Sequence, residues 1–81
     1  NSILVYPNPA HDILHLKKNP AMPENIPASL VDISGRKMAV DLQYSSPFNA
    51  TMDIRNIVPG IYILKIDLRG AAPIFEKIIV Q

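Results

Sequence analysis

Val5-Tyr6-Pro7-Asn8-Pro9-Ala10-His11-Asp12-Ile13-Leu14 is the stretch that decides the fold class. Two short apolar runs flank a corner whose backbone is restricted at successive residues. Pro7 fixes its own φ, and Asn8, standing before Pro9, is kept out of the helical region. Tyr6 to Ala10 is therefore a stiff turn between strands. The restriction recurs along the chain, where eight prolines, at positions 7, 9, 20, 23, 27, 47, 59 and 73, leave no long helical pattern.

Between the prolines the apolar residues alternate with period two. Met38, Val40, Leu42 and Tyr44 stand against Ala39, Asp41 and Gln43; Phe48, Ala50, Met52 and Ile54 stand against Asn49, Thr51 and Asp53. Both runs read as half-buried strands. A helix over Arg36 to Ser46 competes, since Met38 and Leu42 are four apart, but Val40 and Tyr44 drift around its cylinder and no cap closes it. After Gly60, Tyr62, Leu64, Ile66 and Leu68 form one face. Ile61 and Ile63 share the other with Lys65 and Asp67, so this strand is expected to be central and covered on both sides for part of its length.

Further strands are expected over Ile3 to Tyr6, Asp12 to Leu16, Ala28 to Ile33 and Ile74 to Val80. The pattern predicts an all-β, immunoglobulin-like two-sheet sandwich of about seven antiparallel strands. Its expected core is Leu14, Leu30, Val40, Leu42, Met52, Ile54, Tyr62, Leu64 and Ile66. Facing stays open for 28–33, where both alternating sets are apolar, and for 74–80, where Ile78, Ile79 and Val80 make both faces apolar near the end. The final run either lies inside a sheet or offers an edge to another β-rich protein. Ser34-Gly35 predicts a positive-φ turn, and Gly60 is expected to need positive φ or a close backbone approach. Lys17 to Pro27 reads as the longest loop.

Composition narrows the function. The chain of 81 residues makes one domain at most, and without cysteine it has neither a disulfide nor a thiolate metal site to supplement its core. A formal charge of +1 with no basic block makes nucleic acid an unsuitable partner. No apolar run reaches the ~20 residues of a spanning helix, and no secretory leader opens the chain. Beginning at Asn1 rather than Met, the sequence reads as a piece of a longer polypeptide.

His11, Asp12 and His15 form the one cluster with metal or acid/base chemistry. Strand alternation points His15 and Asp12 to opposite faces, so no metal, cofactor or catalytic centre is expected, and Asp12 is expected to cap the proline turn by accepting backbone N–H bonds. Ser34 and Asp32 belong to a turn rather than to a nucleophilic triad. A sugar-binding platform needs exposed aromatic rings, whereas Tyr44, Phe48 and Tyr62 fall on apolar faces.

Four pieces in order carry a resemblance: Pro7-Asn8-Pro9, Asp32-Ile33-Ser34-Gly35-Arg36, Gly60-Ile61-Tyr62 and Lys77-Ile78-Ile79-Val80. Together they resemble the C-terminal sorting domain of the Por (type IX) secretion system of Bacteroidota. The chain departs from that pattern in having Val31 before Asp32, Ile57 for a leucine, and a longer proline-rich loop. The resemblance implies a non-catalytic recognition module, residues 1–81, joined behind a cargo protein. The cargo crosses the inner membrane first, is recognised in the periplasm by the type IX translocon and passes the outer membrane to the cell surface or medium. A sortase-like transpeptidase then commonly removes the domain at a junction near or before Asn1, and many cargoes become attached to an anionic lipopolysaccharide. Pro7, Asn8, Pro9, Asp32, Gly35, Gly60 and Tyr62 are implied as structural, with Lys77, Ile78, Ile79 and Val80 as the residues read by the translocon. The alternative is an immunoglobulin- or fibronectin-like accessory module for adhesion or carbohydrate binding.

Overall fold

Seven antiparallel strands in two sheets make up the computed structural model, which describes residues 3–81. They are β1 (Ile3–Tyr6), β2 (Ile13–Lys18), β3 (Ala28–Asp32), β4 (Asp41–Ser46), β5 (Asn49–Asp53), β6 (Gly60–Ile66) and β7 (Ile74–Val80). One sheet runs β1-β2-β5-β4 and the other β3-β6-β7. That order is the ABED and CFG arrangement of a constant-type immunoglobulin sandwich. A further mark of that fold is Tyr62, near the start of β6, whose hydroxyl donates back to the Val58 carbonyl. The cleavage junction expected near or before Asn1 lies outside the described residues.

The core is the set of inward side chains of both sheets: Leu14, Leu30, Met52, Ile54, Tyr62, Leu64 and Ile66, as expected, together with Ala10, Leu16, Ile26, Ala50, Ile78 and Val80. Val40 and Leu42 are corrections, being only half-buried. The expected strand from Met38 begins instead at Asp41, because 37–40 carries the chain from one sheet to the other, and β4 is then the edge of its sheet. β6 is central, yet its outer face is not covered, and Ile61 is half exposed. In β3, Leu30 faces the core and Val31 faces out.

The proline-rich loop is anchored by side chains inside the sandwich. Ile26 is fully buried, and the Asn25 N–H donates to the Pro47 carbonyl at 3.2 Å. Tyr44 donates its hydroxyl to the Ile26 carbonyl and accepts a 2.9 Å bond from Lys18 Nζ, which also stands 4.2 Å from the Tyr44 ring centroid. Lys18, at 4% exposure the one buried charged residue described, ends β2 on the core side. Burial lowers its pKa and raises that of the Tyr44 hydroxyl. Proline content gave no sign of this, because the anchors are one aliphatic and two polar groups spaced far along the chain.

Gly60 corrects another expectation. Its φ is not positive, and an added Cβ would sit 3.7 Å from the Tyr62 ring, an ordinary contact. Gly60→Ala should leave the urea midpoint of unfolding essentially unchanged, and a clear loss would contradict the geometry. Tyr44→Phe strands the Ile26 carbonyl and the Lys18 ammonium together. It should cost about 1–3 kcal/mol in urea unfolding, more than Lys18→Met, which keeps the Tyr44 bond to Ile26 and removes a partly desolvated charge. Equal losses in the two variants would refute the anchoring role.

Candidate functional site

The proline corner and the last strand meet at one edge. Ile79 turns its N–H and C=O away from β6: Asn8 Oδ1 accepts from the Ile79 N–H at 3.0 Å, and the Ala10 N–H donates to the Ile79 carbonyl at 2.8 Å. Asn8 Nδ2 donates to the Lys77 carbonyl at 2.9 Å, and the Gln81 N–H donates to the Ala10 carbonyl at 2.8 Å. A primary amide carries a donor and an acceptor side by side, so Asn8 stands in for a peptide unit of an added strand. Ala10 then pairs with Val80 in a parallel bridge. These four bonds close the edge of β7 from Lys77 to Gln81.

Toward its start the same edge is open. Alternation in an antiparallel ladder turns the N–H groups of Phe75 and Lys77 and the carbonyl of Phe75 outward, and they meet no backbone partner among the described residues. Phe75 is 60% exposed. Of the four residues expected to be read by the translocon, Ile78 and Val80 are buried in the core, Ile79 is half-buried on the outer face and Lys77 is exposed.

A second constellation sits at the end of β3. Asp32 Oδ1 accepts from the Ser34 hydroxyl at 2.7 Å and from the Ser34 and Arg36 N–H groups, each at 2.9 Å, while Oδ2 lies 3.3 Å from Arg36 Nε. Gly35, at φ 90°, makes the reversal, in agreement with the sequence. The Ser34 hydroxyl, and then the Arg36 N–H, hold the Asp32 carboxyl below its ordinary range. The turn lays Arg36 to Met38 against β3, with the Arg36 carbonyl taking the Asp32 N–H and the Met38 N–H reaching the Leu30 carbonyl, so that Lys37 stands opposite Val31.

The histidine cluster is not drawn together. His11 and Asp12 are exposed, whereas His15 is stacked on Tyr6 across the β1–β2 pair with centroids 5.0 Å apart. Asp12 corrects the expected cap: it is its main-chain carbonyl that is engaged, by the Ile54 N–H, and the capping falls to Asn8. On the outer face of the four-stranded sheet, Asp41 and Asp53 are direct cross-strand neighbours. Arg55 Nη2, at 2.7 Å from Asp53 Oδ2, holds the Asp53 carboxyl down at about 2. Among the described residues no group of His, Cys, Asp and Glu is placed to hold a metal ion, and no helix is long and apolar enough to cross a membrane.

The family model of the secretion system C-terminal sorting domain matches residues 4–81. The chain therefore belongs to that family, the C-terminal sorting signals of type IX secretion. No curated protein and no solved structure matches it. Family membership supports sorting over adhesion or glycan binding, and it implies a cargo protein exported to the cell surface or the extracellular space.

Asn8→Ala should speed exchange of the Ile79 amide by about tenfold or more and lower the thermal midpoint by roughly 4–8 °C, the equivalent of ~1 kcal/mol in a domain of this size. Unchanged Ile79 protection would refute the clamp. On acid titration, the Asp53 side-chain carbon should report a midpoint near 2, moving into the ordinary carboxylate range in Arg55→Ala. Because the folded pKa is depressed, the stability this carboxylate contributes is present above about pH 4 and is lost as pH falls toward its folded value.

Proposed function

We propose that residues 1–81 form a single sorting domain and that the type IX translocon reads it folded, in the periplasm, through the open half of β7 and the exposed Lys77. The observation that carries this reading is the division of the last strand. Ile78 and Val80 are held in the core, while Lys77 and the Phe75 backbone are accessible at a sheet edge. An edge strand offers ladder hydrogen bonds for affinity, and a charged side chain beside it sets register. Cargo precedes the domain in the chain, and a sortase-like transpeptidase removes the domain after passage. The domain itself performs no catalysis: its polar clusters are turn and edge hydrogen bonds, and Arg55 holds Asp53 of its acidic pair.

A reporter fused ahead of the domain should be exported only in a type IX host with an intact translocon. Lys77→Ala should reduce that export by about tenfold, the equivalent of losing one ~1.4 kcal/mol contact, at an unchanged thermal midpoint. Deleting Lys77 to Gln81 removes two core side chains and the partners of Asn8, and should abolish the folded domain. Full secretion of a stably folded deletion would overturn the proposal.

A further inference from the structure

The outer face of the three-stranded sheet carries a pattern that sheet edges alone do not explain. Register places Lys37, Val31, Ile63 and Lys77 in one rung across four adjacent backbone segments. Ser29, Lys65 and Phe75 form the next rung on one side, and Ile61 with Ile79 the next on the other. The result is an aliphatic strip with a lysine at each flank of its central rung and a third lysine one rung away. Lys37, Lys65 and Lys77 are all exposed, and no ion pair among the described residues reaches them. The acidic residue bordering this face is Asp67, whose Oδ1 accepts the Arg69 N–H at 3.1 Å. The opposite sheet differs in charge: its outer face sets Leu4 and Tyr6 beside Lys17 and His15, and continues into Gln43 and Thr51 with the carboxylates of Asp41 and Asp53.

The geometry points to this face as a docking surface for an amphipathic helix of a partner protein, with an apolar stripe flanked on both sides by Asp or Glu. The inference rests on the sorting reading and adds to the edge of β7 a second contact, on the sheet face beside it. Three strand spacings put the flanking lysine backbones about 14 Å apart, and a helix with its side chains is about 10–12 Å across. A helix lying along the strands therefore covers Val31, Ile63, Ile61 and Ile79 and brings its acidic flanks to Lys37 and Lys77. Helix on sheet is the ordinary way to cover an apolar sheet face. A second copy of this face would oppose lysine to lysine. A lipid surface is a poorer match, because Val31, Ile63 and Ile79 are half-buried between neighbours and do not project as a wedge.

The test uses the reporter fusion and the purified chain together. Lys37→Glu with Lys65→Glu should cut export by about tenfold or more at an unchanged thermal midpoint, and Lys17→Glu on the other sheet should export like the parent. Lys37→Gln with Lys65→Gln gives the same comparison without added negative charge. A synthetic helical peptide with a leucine stripe and glutamate flanks should shift the amides of Ile61, Ile63 and Lys65, and its lysine-flanked counterpart should not. Export of the double variants at the parental level, with the parent itself exported, overturns the docking surface and leaves the sorting reading standing. Failure of the parent to export removes both. A dimer in sedimentation velocity, or binding to phosphatidylglycerol vesicles, abolished by the reversals with no peptide binding, assigns the face to a second copy or to anionic lipid and overturns the helix.

Discussion

The carboxamide of Asn8 on the edge of β7 is the contact on which the remaining architecture depends. It joins residues some seventy positions apart in sequence, where the corner between β1 and β2, two strands of the first sheet, reaches across to the last strand of the second. Pro7 and Pro9 limit the conformations that the corner must give up on folding, so the side chain is delivered to the edge at a reduced entropic cost. Ala10, the residue beyond the corner, is fully buried and pairs with Val80. Without this closure the last strand is held by β6 alone and by the inward side chains of Ile74, Ile78 and Val80. An exposed edge of that length is also a template for unwanted pairing, which the clamp blunts over its most aliphatic part.

A domain this small has little surplus of burial, and it has no cysteine with which to add a cross-link. Its polar groups therefore carry structural work that larger proteins leave to apolar contacts. Tyr62 ties the entry of β6 to Val58, Tyr44 ties the proline-rich loop to the sandwich through Ile26, and Asp32 gathers donors into the turn after β3. Each tie sits where a connection joins a sheet, which is where a two-sheet core is most open to fraying.

Period-two alternation made the strands legible, and with them most of the core, because inward positions of a half-buried strand repeat every second residue. Alternation failed where its premise failed. Met38 to Val40 alternate like a strand but span the gap between sheets, and β4 is an edge, so Val40 and Leu42 are half-buried. Lys18 and Ile26 were hidden because their burial depends on Tyr44, a residue of another strand that reaches them only in the folded state. The open choice for 74–80 turned on whether β7 had one neighbour or two, which is a property of topology. Asn8 was legible as a turn residue, but nothing local revealed that its amide would complete a strand sixty-nine and seventy-one residues away.

A sorting signal that is read while folded can display only its surface. Most of the residues by which the sequence resembles its family lie in internal bonds: Asn8 at the edge of β7, Asp32 and Gly35 in the turn, Tyr62 against Val58, Ile78 and Val80 in the core. Changing any of these alters the shape presented rather than a contact made. The turn around Asp32 shows the connection, since by folding Arg36 to Met38 onto β3 it sets Lys37 beside Val31 on the outer face. On the reading proposed above, motif and recognition surface are separate sets of residues linked by strand register. Lys77, exposed next to the buried Ile78, is the position where the two proposed sets meet.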